Sequence, residues 1–150
     1  FCPSISEVQY QFYNEEIALA EAMGVGIQPF KKEVFYQRTS VLGEEYMGEG
    51  CNVPFEEQWE VGFATGPFTI KNRYVTEDVP VGCHVYHELG KKFGVPTPII
   101  DSMIVLGGVM NKTNFFETGL TLEELGIGHM TKEQMQAYLR EGEYVAPEGE

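Results

Sequence analysis

The chain has few positive charges, and this shortage limits the partners it can bind. Ten lysines and arginines stand against 23 aspartates and glutamates, which gives a formal net charge of −13 over 150 residues. Nucleic acids and anionic membrane surfaces attract clusters of basic side chains. We therefore expect neither as a partner. A small anionic substrate stays compatible with the sequence, because one nearby arginine outweighs the net charge at short range.

Long apolar runs and paired cysteines are also missing. No stretch of about 18 apolar residues exists, so we expect no membrane span. Cys2, Cys51 and Cys83 are odd in number and widely spaced, which indicates free thiols in a reducing compartment and predicts a cytoplasmic protein. No charged-then-apolar leader opens the chain, and its first residue is Phe1 rather than Met. We interpret the chain as a fragment or a processed product.

The usual nucleotide-binding and nucleophile motifs are absent as well. The sequence contains neither G-x-x-x-x-G-K-[ST] nor G-x-S-x-G. Gly24-Val25-Gly26 resembles a dinucleotide turn, but it follows a predicted helix, whereas the phosphate-binding turn follows a strand. A helix C-cap is the better interpretation. We therefore expect no nucleotide site and no metal site within this chain.

Helical periodicity dominates what is present, and it predicts an all-α domain. In the first half, the spacing predicts a helix over 4–23 that opens at a Ser4–Glu7 capping box, with short helices over 29–38 and 54–61 around an irregular segment at 39–53. In the second half, it predicts a helix over 80–93 and another that begins at Pro98 after a Thr97 N-cap.

The predicted helix from Pro98 is apolar nearly all round, which favours burial against several neighbours. We expect Met103 and Met110 in the core, and close packing at Gly107 and Gly108 to offset the low helix propensity of glycine. Capping boxes at Thr121–Glu124 and Thr131–Gln134 predict a one-turn helix and a last helix to about residue 140, followed by a frayed acidic tail over 141–150.

The segment Asn72–Pro80 concentrates polar chemistry. It carries a guanidinium, a phenol and two carboxylates (Arg73, Tyr74, Glu77 and Asp78) ahead of a proline that suits the first turn of a helix. A carboxylate at such a point would be held ionised by the helix dipole. The alternative is a capped loop whose charges pair with one another or with water.

Two other groups of residues invite a functional interpretation. His84, His87 and Glu88 have helical spacings that suit a shared metal, but no further ligand is evident and a solvated helix face is the simpler interpretation. Trp59, Phe63 and Phe68 are suited to line a pocket, although aromatic residues more often form core.

Three ordered motifs resemble the opine (octopine/nopaline) dehydrogenase family, specifically its C-terminal domain. They are R-Y-V-T-E-D-V-P-V-G over 73–82, F-G-V-P-T-P-I-I-D over 93–101 and G-L-T-L-E-E-L-G-I over 119–127. The helix over 4–23, with its acidic, alanine-rich stretch ending in M-G-V, is similar too. The resemblance covers roughly residues 5–139.

The resemblance implies a helical bundle similar to the C-terminal domain of 6-phosphogluconate dehydrogenase. It implies an NAD- or NADP-dependent enzyme that joins an α-keto acid, often pyruvate, to an amino acid through an imine that accepts hydride. An N-terminal Rossmann domain would bind the dinucleotide, and a His–Asp pair would serve acid–base chemistry. Asp78 matches the catalytic aspartate, and Arg73, Tyr74 and Glu77 become candidates for substrate binding.

Departures from the family pattern shape the remaining expectations. The family histidine would lie before Phe1, none of His84, His87 and His129 matches its position, and Leu120 stands where the family commonly has arginine. We expect the chain to fold but not to catalyse the reaction alone.

Two other identities of the chain stay open. One is the equivalent domain of a ketopantoate-reductase-like or glycerol-3-phosphate-dehydrogenase-like enzyme, and the other is a non-catalytic binding module. The apolar residues 99–110 would also allow a homodimer.

Overall fold

Helix is the only regular secondary structure in the residues that the computed structural model describes, 3–35 and 68–147. The all-α prediction is confirmed for this part of the chain, whereas the similarity to the 6-phosphogluconate dehydrogenase domain stays a prediction. The chain divides into two units, Phe1–Ile70 and Lys71–Glu150. The elements are α1 (Pro3–Met23), a 3-10 turn (Lys32–Val34), α2 (Arg73–Thr76), a π-helical turn (Val79–Cys83), α3 (His84–Phe93), α4 (Pro98–Asn111), α5 (Phe115–Thr118) and α6 (Lys132–Glu141).

The first unit is built on α1, which matches the predicted helix to within one residue. The predicted Ser4–Glu7 capping box is wrong, because the helix already begins at Pro3 and Ser4 lies inside it. Gly24 ends the helix in the left-handed conformation with φ 68°, and the amide of Val25 donates to the carbonyl of Ala20 at 2.8 Å. The glycine-rich turn after α1 is therefore the C-cap that the sequence predicts.

An aromatic cluster joins α1 to the segment that follows it. Tyr13 and Phe35 are buried, with ring centroids 5.0 Å apart. The Tyr13 hydroxyl donates to the carbonyl of Gln28 at 3.1 Å and accepts from the amide of Phe30 at 3.0 Å. Of the helix predicted over 29–38, the described part ends at Phe35 and contains only the 3-10 turn. The predictions for 39–53 and 54–61, and for Trp59 and Phe63, lie outside the described residues.

The second unit buries apolar side chains from α3, α4, α5, α6 and the turns between α5 and α6. Its buried hydrophobic residues are Leu89, Ile100, Ile104, Phe115, Leu122, Met130 and Met135. The predicted helix over 80–93 forms as the π-helical turn followed by α3, and Gly94 ends it at φ 71°. Phe68, at the end of the first unit, is 96% exposed and is therefore not core, whereas the pocket predicted for it with Trp59 and Phe63 falls on residues outside those described.

Helix α4 corrects the expectation of all-round burial. Its buried side is narrow, and Met110 is 51% exposed rather than core. Met103 is only partly buried. The close approach predicted at Gly107 is confirmed, since a Cβ there would lie 3.2 Å from Cγ1 of Val79. At Gly108 the neighbour is instead the loop after the helix, because a Cβ would lie 2.6 Å from the carbonyl oxygen of Thr113.

The last helix forms as the sequence predicts. The Thr131 hydroxyl accepts from the amide of Gln134 at 3.3 Å, and the Gln134 side chain accepts from the amide of Thr131 at 2.8 Å, which completes the capping box. The acidic tail after α6 makes contacts as far as Val145, and its predicted fraying stays a prediction. Nε2 of His129 lies 2.6 Å from the carbonyl of Val145, and the ring of Tyr144 packs edge-on against His129.

Candidate active site

The polar segment Asn72–Pro80 begins with a capped helical turn. The side chain of Asn72 accepts from the amide of Tyr74 at 3.2 Å, and the amide of Glu77 donates to the carbonyl of Arg73 at 2.8 Å. Asparagine is a favoured N-cap because its short side chain satisfies an amide that has no partner within the helix. The helical run therefore starts at Arg73, seven residues before the proline.

Pro80 lies inside this run rather than at its beginning, and the π-helical turn is the reason it fits. Proline cannot donate a backbone hydrogen bond, which interrupts the regular ladder. The amide of His84 donates to the carbonyls of Val79 and Val81 and bypasses that of Pro80. The freed Pro80 carbonyl accepts instead from the amide of Leu120 at 2.9 Å. π-Helical turns of this kind are frequent at functional sites.

A second hydrogen bond also joins Leu120 of the third motif to the helical run that begins with the first motif. Nδ1 of His84 lies 2.8 Å from the carbonyl of Leu120, and because a carbonyl only accepts, Nδ1 carries the proton. Gly119 allows this approach, since a Cβ there would lie 2.3 Å from Cγ of the His84 ring. The backbone of Leu120 is thus held on both sides, through its N–H by Pro80 and through its carbonyl by His84.

The motif over 93–101 attaches to the same helix through side chains. Nδ1 of His87 on α3 lies 2.8 Å from Oδ1 of Asp101 on α4, and the Thr97 hydroxyl donates to the same oxygen at 3.0 Å. Thr97 therefore makes no helix-capping bond with its side chain. A Cβ on Gly90 would lie 2.8 Å from the carbonyl oxygen of Val95, so glycine lets the turn between α3 and α4 pass closely.

These contacts hold the predicted site residues on a fixed backbone with their side chains in solvent. Asp78 is exposed and makes no side-chain cap, and Tyr74 is 61% exposed. Arg73 Nε lies 3.7 Å from Glu77 Oε2, with both side chains more than half exposed. An exposed ion pair at that distance contributes about 0–1 kcal/mol, so it does not tie up the guanidinium.

One detail of the expected site changes. The prediction that Asp78 stands at the positive end of a helix is wrong, because Asn72 caps the run one turn and more before it. The side chain of Asp78 has no ion pair or hydrogen bond to any residue within 3–35 and 68–147. Asp78 is consequently available to a group from outside the described residues, which is a requirement of its predicted role.

Neither interpretation of His84, His87 and Glu88 describes the structure. Residues 3–35 and 68–147 contain no cluster of three or more His, Cys, Asp or Glu side chains able to hold a metal ion. His84 is only 2% exposed, and Glu88 is largely covered and accepts from Lys91 at 2.9 Å. His87 stacks edge-on against Phe116 with centroids 4.9 Å apart. His84 and His87 therefore stabilise packing within the fold and do not form a solvated face.

Sequence reasoning missed the pairing of His87 with Asp101. The two residues are 14 apart in sequence and lie on different helices, so no local spacing indicates their contact. A signal was nevertheless available. A histidine on one helix, a tight G-V-P-T-P turn and an acidic residue in the first turn of the next helix are what an antiparallel helix pair needs to bring such groups together.

Next to the site, the capping box at Thr121 contains a carboxylate whose protonation is expected to lower the stability of the fold. The Thr121 amide and hydroxyl both donate to the Glu124 carboxylate at 2.9 Å. The backbone hydrogen bond, then the hydroxyl, and to a smaller extent the charge of His84 lower the pKa of Glu124. The predicted one-turn helix forms as a single hydrogen-bonded turn, in which the amide of Leu125 donates to the carbonyl of Thr121 at 3.2 Å and Gly126 ends the turn at φ 72°.

We expect the Glu124 contribution to stability to be complete at neutral pH and to be lost in acid. A carboxyl whose pKa is lowered by folding stabilises the fold above its unfolded value, about 4.3, and ceases to do so as pH falls through the lowered folded value. Glu124→Gln should therefore lower Tm at pH 7 but leave it near that of the wild type at low pH. The control is Glu133→Gln, which removes an exposed carboxylate elsewhere; equal Tm losses at both pH values would contradict the expectation.

Comparison with known proteins identifies the family of the chain. A family model described as the NAD/NADP octopine/nopaline dehydrogenase alpha-helical domain matches residues 1–111. An opine dehydrogenase of Arthrobacter sp. (strain 1C) is 32% identical over 132 residues, which is 86% of this chain. The chain spans about a third of that relative, 34% of its length. The family match includes the exposed Arg73–Asp78 segment and helices α1 to α4, and the chain belongs to the octopine/nopaline dehydrogenase family as its alpha-helical domain.

Proposed function

We propose that this chain is the substrate domain of an NAD- or NADP-dependent opine dehydrogenase that reductively condenses an α-keto acid, such as pyruvate, with an amino acid. The observation that carries the proposal is the Arg73–Asp78 segment, in which exposed polar side chains stand on a backbone that hydrogen bonds hold at both ends. Family membership supports the reaction class. The relative from Arthrobacter is an opine dehydrogenase, which supports the same class.

Asp78 is the residue we propose for catalysis, as the carboxylate that orients a histidine. A carboxylate that accepts from Nδ1–H of an imidazole fixes the tautomer and stabilises the imidazolium, so that the other ring nitrogen can exchange a proton with substrate. Asp78 is exposed, and within 3–35 and 68–147 no side chain engages it. The backbone around it is held by Asn72 on one side and by the Pro80–Leu120 bond on the other. Such preorganisation favours catalysis, because the group need not be ordered when substrate binds.

Arg73 and its neighbours are the groups we propose for substrate binding. Both substrate classes carry a carboxylate, and a guanidinium binds a carboxylate through two parallel hydrogen bonds. The contact between Arg73 and Glu77, at 3.7 Å and in solvent, is weak enough to give way to a substrate. Tyr74 stands beside Arg73 in α2 and is exposed to the same solvent.

The described residues do not fit the dinucleotide itself. The Gly24-Val25-Gly26 turn ends a helix, with Gly24 at φ 68°, and it neither follows a strand nor opens a helix. This turn therefore provides no phosphate cradle for NAD or NADP. The proposed enzyme binds its cofactor in an N-terminal Rossmann domain that packs against this one, and it carries its catalytic histidine on an element that precedes residue 1.

The proposal is tested by assaying the full-length protein for oxidation of NADH and NADPH with pyruvate and a panel of L-amino acids. We expect oxidation that requires both the keto acid and an amino acid, with a secondary amine as the product. Ammonia in place of the amino acid is the control for simple reductive amination. Equal rates without any amine would instead indicate a keto-acid reductase and would contradict the proposal. The 150-residue chain alone should show no turnover.

A further inference from the structure

A cavity of about 400 Å³ lies in the second unit, between the last turns of α4 and the segment that continues into α5. Its apolar wall is formed by Ile104, Val105, Val109, Phe115 and Phe116. Ile104 and Phe115 are almost fully buried, whereas Val109 is 72% exposed and Val105 is 50% exposed. The volume is within the range of about 300–1,000 Å³ that is usual for small-molecule sites.

The polar end of this cavity is formed by the sharp turn that ends α4. Lys112 adopts the left-handed conformation with φ 56°, and its amide donates to the carbonyl of Val109 at 3.2 Å. The amide of Thr113 donates back to the carbonyl of Gly108 at 3.0 Å. Gly108 makes this possible, since a Cβ there would lie 2.6 Å from the Thr113 carbonyl oxygen. The turn thus places Lys112 to Asn114 against the apolar wall.

Lys112 gives the polar end of the cavity a positive charge. Lys112 is the one ionisable side chain among the lining residues that the structure describes. It is exposed, and within 3–35 and 68–147 its ammonium group has no ion pair or hydrogen bond. By contrast, Lys91 is paired with Glu88, and Lys92 donates to the carbonyl of Gly128. An unpaired ammonium beside an apolar wall is complementary to a molecule with an anionic head and an apolar body.

We propose that this cavity binds a small amphipathic monocarboxylate, with its chain on Val105, Val109 and Phe116 and its carboxylate toward Lys112. The side chain of Asn114 is held in place by accepting from the amide of Phe116 at 3.2 Å, and its NH₂ group offers a second donor for the carboxylate. None of Arg73, Tyr74, Glu77 and Asp78 lines the cavity. Binding in this cavity would therefore not depend on the proposed roles of these four residues.

The test uses octanoate as the probe, titrated into the chain while the methyl resonances of Ile104, Val105 and Val109 are followed by NMR. We expect saturable shifts at these methyl groups. Lys112→Gln should weaken octanoate binding about two- to fivefold, the size expected for an exposed ion pair. Octanamide, which has the same chain without the charge, should bind wild type and Lys112→Gln alike. Lys132→Gln, which removes a lysine from α6, should leave octanoate binding unchanged.

A second variant separates loss of the apolar wall from loss of folding. Val109→Asp places a carboxylate on an exposed position of the wall and should abolish octanoate binding without unfolding the protein. Leu139→Asp, at a position 67% exposed on α6, is the matched control and should bind octanoate normally. Octanoate shifts that do not saturate, or equal affinity in Lys112→Gln and wild type, would overturn the proposal. So would sedimentation showing a wild-type dimer that Val109→Asp dissociates, because a second copy would then occupy the wall.

Discussion

Replacing Gly119 with alanine is expected to cost about 3 kcal/mol of unfolding free energy or more. The new Cβ would lie 2.3 Å from Cγ of the His84 ring, and that ring is 2% exposed and hydrogen-bonded to the Leu120 carbonyl. Overpacking of a filled site costs about 1–3 kcal/mol. Loss of the bonds at Leu120 adds about 1 kcal/mol each. Urea unfolding of the two proteins, followed by circular dichroism, measures the difference.

The effect of this change is attributable to space rather than to backbone strain. Gly119 has φ −73° and ψ 156°, an ordinary extended conformation that alanine adopts freely. Gly82→Ala is the matched control. A Cβ at Gly82 meets nothing within 4 Å, and we expect a neutral effect or a gain of up to ~1 kcal/mol. If Gly119→Ala and the wild type had the same urea midpoint of unfolding, the His84 ring would have room to move and the prediction would be wrong.

Replacing Asp78 with asparagine in the full-length enzyme is expected to lower kcat about 10²- to 10⁴-fold. An amide presents an NH₂ group or a weak acceptor where the carboxylate would accept from the imidazole, so the histidine loses its tautomer and its charge stabilisation. Because Asp78 is exposed and caps nothing, its removal should leave folding intact. The assay is steady-state kinetics with the keto acid and amino acid that the panel identifies.

The controls for Asp78 distinguish catalysis from stability and from net charge. Glu117→Gln removes an exposed carboxylate from α5 and should leave both kcat and KM within about twofold of wild type. The Tm of Asp78→Asn should lie within about one degree of wild type, because exposed substitutions away from special contacts change stability little. An unchanged kcat in a well-folded Asp78→Asn enzyme would reject the proposed role.

Local patterns predicted the helices well where the signal lies within a few residues. The first helix, the helix through Phe93 and the Thr131 capping box all follow from spacing, cap residues and terminal glycines. The same reasoning failed for the exposed side of α4. Composition indicates that a helix is apolar, but it does not indicate how many of its sides meet a neighbour.

The candidate site was predictable as a set of residues but not as a geometry. The sequence identifies Arg73, Tyr74, Glu77 and Asp78 as one polar segment, and the structure describes them as exposed, with their roles still to be tested. The segment is held by a main-chain hydrogen bond from the amide of Leu120 to the carbonyl of Pro80. Main-chain bonds between distant segments have no side-chain signature, so the three motifs gave no indication of how they meet.

The crossing at Leu120 has a consequence for how this position can vary. Both bonds there use peptide atoms, the N–H toward Pro80 and the carbonyl toward His84. The identity of the side chain is therefore left open by the junction, which in this chain carries leucine. Proline is the exception, since it would remove the donor. Position 120 is thus a place where the charge beside the first motif can be retuned without rebuilding the scaffold beneath it.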